Sequence, residues 1–128
     1  MGTTQLLEFR EQIRKTSKAS NHKVDRQTRK LLVYLFTGTR GGFTRLRITM
    51  MLLEQPYNTH RLARELGLDY KAIQHHLKVM EKNNLVSKTG ERYGALYHIS
   101  NFLEYNISAL TEAIDRLERK LNSKKVYI

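Results

Sequence analysis

The chain has 128 residues, 27% of them charged and 40% from the hydrophobic set, which suits one globular domain with a modest core rather than a disordered segment. Twenty-three Lys and Arg against twelve Asp and Glu leave a net charge of +11, spread as +5 over residues 1–30, +3 over 31–68, +2 over 69–100 and +1 over 101–128; such a surplus fits a polyanionic partner. The absence of cysteine excludes disulfides, thiolate metal sites and a cysteine nucleophile, and the longest apolar run, LLVYLF, is far short of the ~20 residues of a membrane span.

The N-terminus MGTTQLLEFREQ lacks the basic-then-apolar layout of an export signal, so a cytoplasmic chain with no membrane partner is expected. Leu6, Leu7, Phe9 and Ile13 among charges predict a short amphipathic helix over 3–16. The polar TSKASNHK that follows (16–23) reads as a linker. Asp25 is placed to cap a second helix reaching Phe36 and ending at Gly38, although LLVYLF taken alone is equally strand-like. GTRGG (38–42) reads as a turn, because a phosphate-binding loop would need a preceding strand and a Gly-Lys-Ser/Thr end. From Thr44 the pattern is helical, with Leu46, Ile48, Met51, Leu52 and Leu53 set among Arg45, Arg47 and Glu54, and Pro56 stops it.

In NTHRLARELG, Asn58 or Thr59 can cap a helix whose apolar face is Leu62, Ala63 and Leu66. Gly67 can end that helix in the left-handed conformation, and Asp69 can cap the next. Two helices joined by a short glycine-containing turn form a helix-turn-helix. LVSKT and ALYHIS, flanking GERYG, then predict a hairpin, so the order of elements is that of a winged helix. From about Asn101 to Leu121, the residues Leu103, Ile107, Leu110, Ile114, Leu117 and Leu121 recur as a heptad seam, suited to pairing with a second copy or to packing on the same chain. The tail NSKKVYI is expected to fray.

The helix after Asp69 carries the adjacent pair His75 and His76. Counting about 100° per residue from Ile73 places Leu77 and Met80 with it in a buried stripe. Gln74, Lys78, Lys71 and His75 then follow at about 100°, 140°, 160° and 200°, with Tyr70 at the border of that polar face. His76 falls at about −60°, beside the core stripe, on the side extended by Ala72 and Val79. The two histidines therefore point apart and make a poor chelate; His22, His60 and His98 offer no i, i+4 partner, and no metal is expected. His76 reads as a packing residue and His75 as a surface one.

A helix fits the DNA major groove, where the leading residues of the second motif helix meet base edges. Tyr70, Lys71, Gln74, His75 and Lys78 are thus candidates for base readout, with Gln74 suited to paired hydrogen bonds with adenine; an ordinary solvated helix face is the alternative. Thr59, His60, Arg61 and Arg64 are candidates for holding the DNA backbone, with Arg40, Arg45 and Arg47 as secondary ones. Lys88, Arg92 and Tyr93 lie at or near the wing tip, where arginine enters a minor groove or grips phosphate.

HRLARELGLDYKAIQHHLKVMEKNNLV resembles the winged helix-turn-helix of ArsR-type regulators. His76, Leu77, Lys78, Val79, Met80 and Glu81 and, after the asparagines, Leu85 and Val86 occupy the places of the family's closing phrase. The longer run from LFTGTRGGFTRLRI to YGALYHIS is similar to a group of archaeal ArsR-like DNA-binding proteins, a resemblance covering about residues 31–100. It implies a dimeric transcription regulator whose residues around Tyr70 to Lys78 enter the major groove. Many relatives sense metals through cysteines beside the motif helices or Asp/His sets on the terminal helix. This chain has no cysteine, and its terminal helix offers Glu112, Asp115 and Glu118 without a histidine.

The expected fold is mainly α with a small β-hairpin (α+β): a winged helix-turn-helix over 44–100, a basic helical extension over 1–43, and a long C-terminal dimerisation helix over 101–128. The expected function is that of a homodimeric, sequence-specific regulator of transcription on double-stranded DNA, with recognition helix 69–83 in the major groove and wing 87–97 on the minor groove or backbone. A module binding RNA or a protein partner, or a ligand-sensing regulator, is the alternative, and the sequence identifies no effector. No paired carboxylates, nucleophile–base set or metal cluster appears at useful spacing, so neither enzyme nor cofactor is expected.

Overall fold

The computed structural model describes residues 3–20 and 22–126, with the side chains at 3–4, 18–20, 93 and 123–126 outside that description. Contacts divide the chain into two units, residues 1–42 with 105–128, and residues 43–104.

In the first unit, α1 (Thr3–Ser20) buries Leu6, Phe9 and Ile13 and leaves Leu7 exposed. The expected linker at 16–23 is helical as far as Ser20. Its hydroxyls do not break the helix because they fold back onto it, Thr16 donating to the Gln12 carbonyl at 2.9 Å and Ser17 to that of Arg14 at 3.2 Å. Asp25 caps α2 (Arg26–Val33), accepting from both the Thr28 amide and its hydroxyl at 2.9 Å. The hydrogen bond from the Thr28 backbone N–H foremost holds this carboxyl below its ordinary range. The ambiguous LLVYLF is helical: α2 passes directly into a π-helical turn, Tyr34–Gly38, and together they bury Leu32, Val33, Leu35 and Phe36. Both α1 and α2 pack on α7 (Leu110–Val126), and Arg10 of α1 reaches Asp115 and Glu118.

The expected continuous heptad helix is interrupted. After α6 (Asn101–Tyr105) the chain takes a 3-10 turn, Ile107–Ala109, before α7 begins. Asn106 sits buried at the break with φ −105° and ψ 18°, its backbone carbonyl accepting from the Ala109 amide at 3.1 Å as the tighter 3-10 turn begins. Leu103, Ile107, Leu110 and Ile114 are all fully buried within the chain, so these four do not form a free pairing seam. Leu117 is half-buried and Leu121 exposed. The tail expected to fray continues as helix to Val126.

In the second unit, α3 (Gly42–Glu54) is covered nearly all round and buries Leu46, Ile48, Met50 and Leu52 together with Arg45 and Thr49, as a central helix does. Asn58 rather than Thr59 caps α4 (Thr59–Leu66), accepting from the Arg61 amide at 2.8 Å. Gly67 ends α4 at φ 66° and ψ 35°, a region L side chains avoid, and Leu68 closes the motif by donating to the Ala63 carbonyl at 2.9 Å. The Asp69 carboxylate accepts from the Lys71 and Ala72 amides at 3.0 and 3.3 Å to start α5 (Tyr70–Lys82). That helix buries Ile73, Leu77 and Met80 completely. Strands β1 (Val86–Thr89) and β2 (Leu96–Ile99) pair antiparallel, from Val86 opposite Ile99 to Thr89 opposite Leu96.

Tyr57 adds a third, one-residue strand, exchanging backbone bonds with Tyr97 at 3.2 and 2.8 Å. Ser100 locks the base of the hairpin by donating to the Asn84 carbonyl at 2.7 Å and accepting from the Leu103 amide at 3.0 Å. The fold is a winged helix-turn-helix, mainly α with one hairpin. Among the described residues no helix is long and apolar enough to cross a membrane.

Candidate nucleic-acid interface

The surroundings of α5 divide its single polar face into two sectors. The sector nearer the hairpin opens on a groove of about 480 Å³, where Tyr70, Gln74 and Lys78 of α5 meet Lys88 and Arg92 of the wing. Thr59 and Tyr97 form its floor with Ala95. The buried Tyr97 phenol meets the Thr59 hydroxyl, and burial pushes its pKa up, so it stays a neutral hydrogen-bonding group. Glu81 is the acidic side chain in this lining. Lys71 and His75 lie exposed on the other sector, outside the lining.

The wing tip is built by a turn that places Gly90 at φ 88° and Arg92 at φ 56°. A non-glycine residue held in the left-handed region is costly, and such strain clusters at working positions. Arg92 is exposed there, while the Tyr93 side chain lies outside the described residues. Lower in the hairpin, the Thr89 hydroxyl pairs with His98 Nε2 at 2.9 Å.

On α4, His60 sets its ring edge-on to Tyr70 with centroids 5.4 Å apart, coupling the two motif helices. The Arg61 guanidinium lies 4.9 Å over the Tyr57 ring and 4.0 Å from Glu65. Arg64 is exposed.

The histidine pair divides as its phase requires, with ring planes 60° apart. His75 is exposed, whereas His76 is half-buried and its Nδ1 accepts from the Arg45 guanidinium at 3.2 Å. Burial first, then the Arg45 charge, depresses the His76 pKa. Arg45, a secondary candidate for DNA phosphate, is only 3% exposed and does not reach the surface. It shares the i, i+3, i+4, i+7 row of Ile48, Thr49 and Leu52, all buried, and that periodicity was the available signal. Arg47 is half-buried and donates to the Leu66 carbonyl at 3.3 Å. Ala72, expected on the packed side, is exposed because it lies in the first turn. The contributions of Tyr57 and Glu81 were not anticipated; a single aromatic after Pro56 is too short a strand signal to read.

Among the described residues no three His, Asp or Glu side chains converge as metal ligands. Asp115 and Glu118 instead engage Arg10.

Residues 43–88 match the family model described as "Bacterial regulatory protein, arsR family". No curated protein sequence matches the chain. Among solved structures, the chain is similar to reduced HlyU from Vibrio cholerae N16961, with TM-score 0.52 and 22% identity over 67% of this chain and 88% of that one. It is similar also to HlyU from the same source, with TM-score 0.51 and 23% identity over 70% and 96% of the two chains. At this identity the structures bear on the fold. Because the family model is described as bacterial and both structures come from Vibrio cholerae, the archaeal part of the resemblance gains no support.

Proposed function

We propose that the chain is a transcription regulator that binds double-stranded DNA as a homodimer, with α5 in the major groove and the hairpin on the adjacent backbone or minor groove. One observation carries this reading: Tyr70, Gln74 and Lys78 of α5, inside the arsR-type segment 43–88, and the wing cations Lys88 and Arg92, at and just past its end, converge on one groove. Gln74 and Lys78 have the chemistry to read adenine and guanine edges, and Lys71 and His75 extend that surface. Tyr70, braced by His60, borders it. Arg64, Lys88 and Arg92 act on phosphates and set register rather than sequence; Thr59 and Arg61 support them from α4, and Tyr93 belongs to the same wing.

Pairing rests on the unit that carries the terminal helices. Leu7, Leu31 and Leu121 leave apolar surface open there, and Leu117 with Leu121 continues the heptad pattern beyond its buried part. Sedimentation equilibrium checks the dimer. Binding is tested by fluorescence polarisation on duplexes selected from random DNA, at several salt concentrations. Absence of binding at ~50 mM salt defeats the proposal, because multiple phosphate contacts are strongest there. Stronger binding to RNA than to duplex DNA would favour the other kind of module.

A further inference from the structure

The unit of α1, α2 and α7 carries a second cavity, of about 370 Å³, lined from α2, its π-helical turn and α7. Its walls bring together Arg26, Arg29, Lys30 and Arg116 with Glu112 and Tyr34. Glu112 is already engaged by Arg116 at 3.2 Å, which leaves three cations of α2 without an acidic partner on their own helix, RQTRKLLV. Arg26, Arg29, Lys30 and Val33 occupy positions i, i+3, i+4 and i+7, a row that in an ordinary surface helix turns an apolar stripe inward. Here that row is mostly cationic. Arg29 donates to the Val24 carbonyl at 3.4 Å, but like charges at these spacings repel, and Arg26 at the helix start opposes its dipole. A bound anion reverses both effects.

The remaining wall is pre-formed. A Cβ on Gly38 would come within 2.8 Å of Tyr34 Cδ1, so glycine is what lets the ring lie against the backbone. Tyr34 is thereby held as a flat surface although 57% exposed. The π-helical geometry of Tyr34–Gly38 is of a kind that recurs at functional sites, and Lys120 ties this turn to α7 by donating to the Thr37 carbonyl at 3.1 Å. The volume lies within the ~300–1,000 Å³ of small-molecule sites.

We propose that this cavity binds a small phosphorylated molecule, its phosphate held by Arg26, Arg29, Lys30 and Arg116 and a flat portion laid on Tyr34. Three guanidiniums favour phosphate, whose oxygens accept their paired donors, and the charge excess matches a dianion better than a single carboxylate. Binding stands independently of the DNA reading; only a role as effector of DNA binding rests on it.

Isothermal titration calorimetry on the full chain tests this with adenosine monophosphate, ribose 5-phosphate, inorganic phosphate and, as the uncharged control, adenosine. The phosphorylated probes should bind, adenosine at least about tenfold more weakly. The double variant Arg26→Gln/Lys30→Gln, neither side chain hydrogen-bonding to another described residue, should lose about tenfold or more for each phosphorylated probe while keeping the wild-type thermal melt. Lys78→Gln/Arg92→Gln, in the other unit, should bind the probes as wild type does. No heat from any phosphorylated probe up to about 10 mM overturns the proposal. So does equal affinity for adenosine, or loss of binding in the Lys78/Arg92 variant instead of the Arg26/Lys30 one. The calorimetry contains no DNA, so failure of the DNA reading leaves its result standing.

Discussion

Replacing Lys88 and Arg92 together by glutamine removes both wing cations from the groove beside α5. Both are exposed, so the hairpin should fold unchanged, as circular dichroism can check. Each neutralised phosphate contributes about 0.9 to the slope of log affinity against log salt. A dimer on two half-sites loses four such contacts, and the slope should shrink by about 3.6. Between about 50 and 200 mM salt, the wild type should therefore lose on the order of 100-fold more affinity than the variant. Fluorescence polarisation across that range, on one selected duplex, measures the difference. A change of about 1.8 would identify a single bound protomer and refute the dimer. Wild-type affinity with an unchanged slope would refute the placement of the wing on phosphate altogether.

Base readout separates from backbone contact in the same assay: Gln74→Ala should erase about 1–3 kcal/mol of discrimination at one base pair, whereas Arg64→Ala should weaken all duplexes alike. Equal behaviour of the two would remove the distinction drawn between their helices. For His76, burial and Arg45 depress the folded-state pKa. Above the ordinary value of ~6.5 both states are neutral, and below it the unfolded chain takes up a proton that the folded chain resists, so stability should decline as pH falls through that window. His76→Gln should flatten that part of the profile of urea midpoints; a profile that keeps the wild-type decline contradicts the assignment. Two glycines make a paired test of conformation against space. Gly67→Ala meets no atom within 4 Å but keeps φ at +66°, and should cost ~1 kcal/mol. Gly42→Ala would drive its Cβ into the Phe36 carbonyl and should cost ~3 kcal/mol or more; a reversed order in denaturant titrations would show the packing argument to be wrong.

The helix-turn-helix was legible because its information is local. Asp69 caps within three residues, Gly67 needs only its own backbone, and the phase of α5 follows from Ile73, Leu77 and Met80. The C-terminal helix is less legible for the complementary reason. A 4, 3 spacing of apolar residues records that one side is buried, not what buries it, and Leu103, Ile107, Leu110 and Ile114 are covered by their own chain. Nor does the spacing register Asn106, whose buried backbone turn interrupts the helix while the apolar residues on either side keep their period. The polar stretch at 16–23 misled in the opposite direction, since its hydroxyls bond to the preceding turn of α1 instead of ending it.

The groove beside α5 depends on contacts no local pattern contains, and Arg45 illustrates how. Counted by composition it is one of 23 basic residues available to a polyanion; in the fold it is buried in α3 with its guanidinium on His76. That bond requires an unprotonated Nδ1, since a guanidinium can only donate. It anchors the inner edge of α5 about 60° from the Ile73 row, beside the apolar stripe that does the packing. Together the stripe and the bond fix the roll of the helix. Because Gln74 and Lys78 project from the opposite edge, the roll decides whether they enter the groove with Lys88 and Arg92 or turn away from it. A buried arginine thus acts on the proposed DNA surface without touching it, by setting which side chains of the recognition helix are presented.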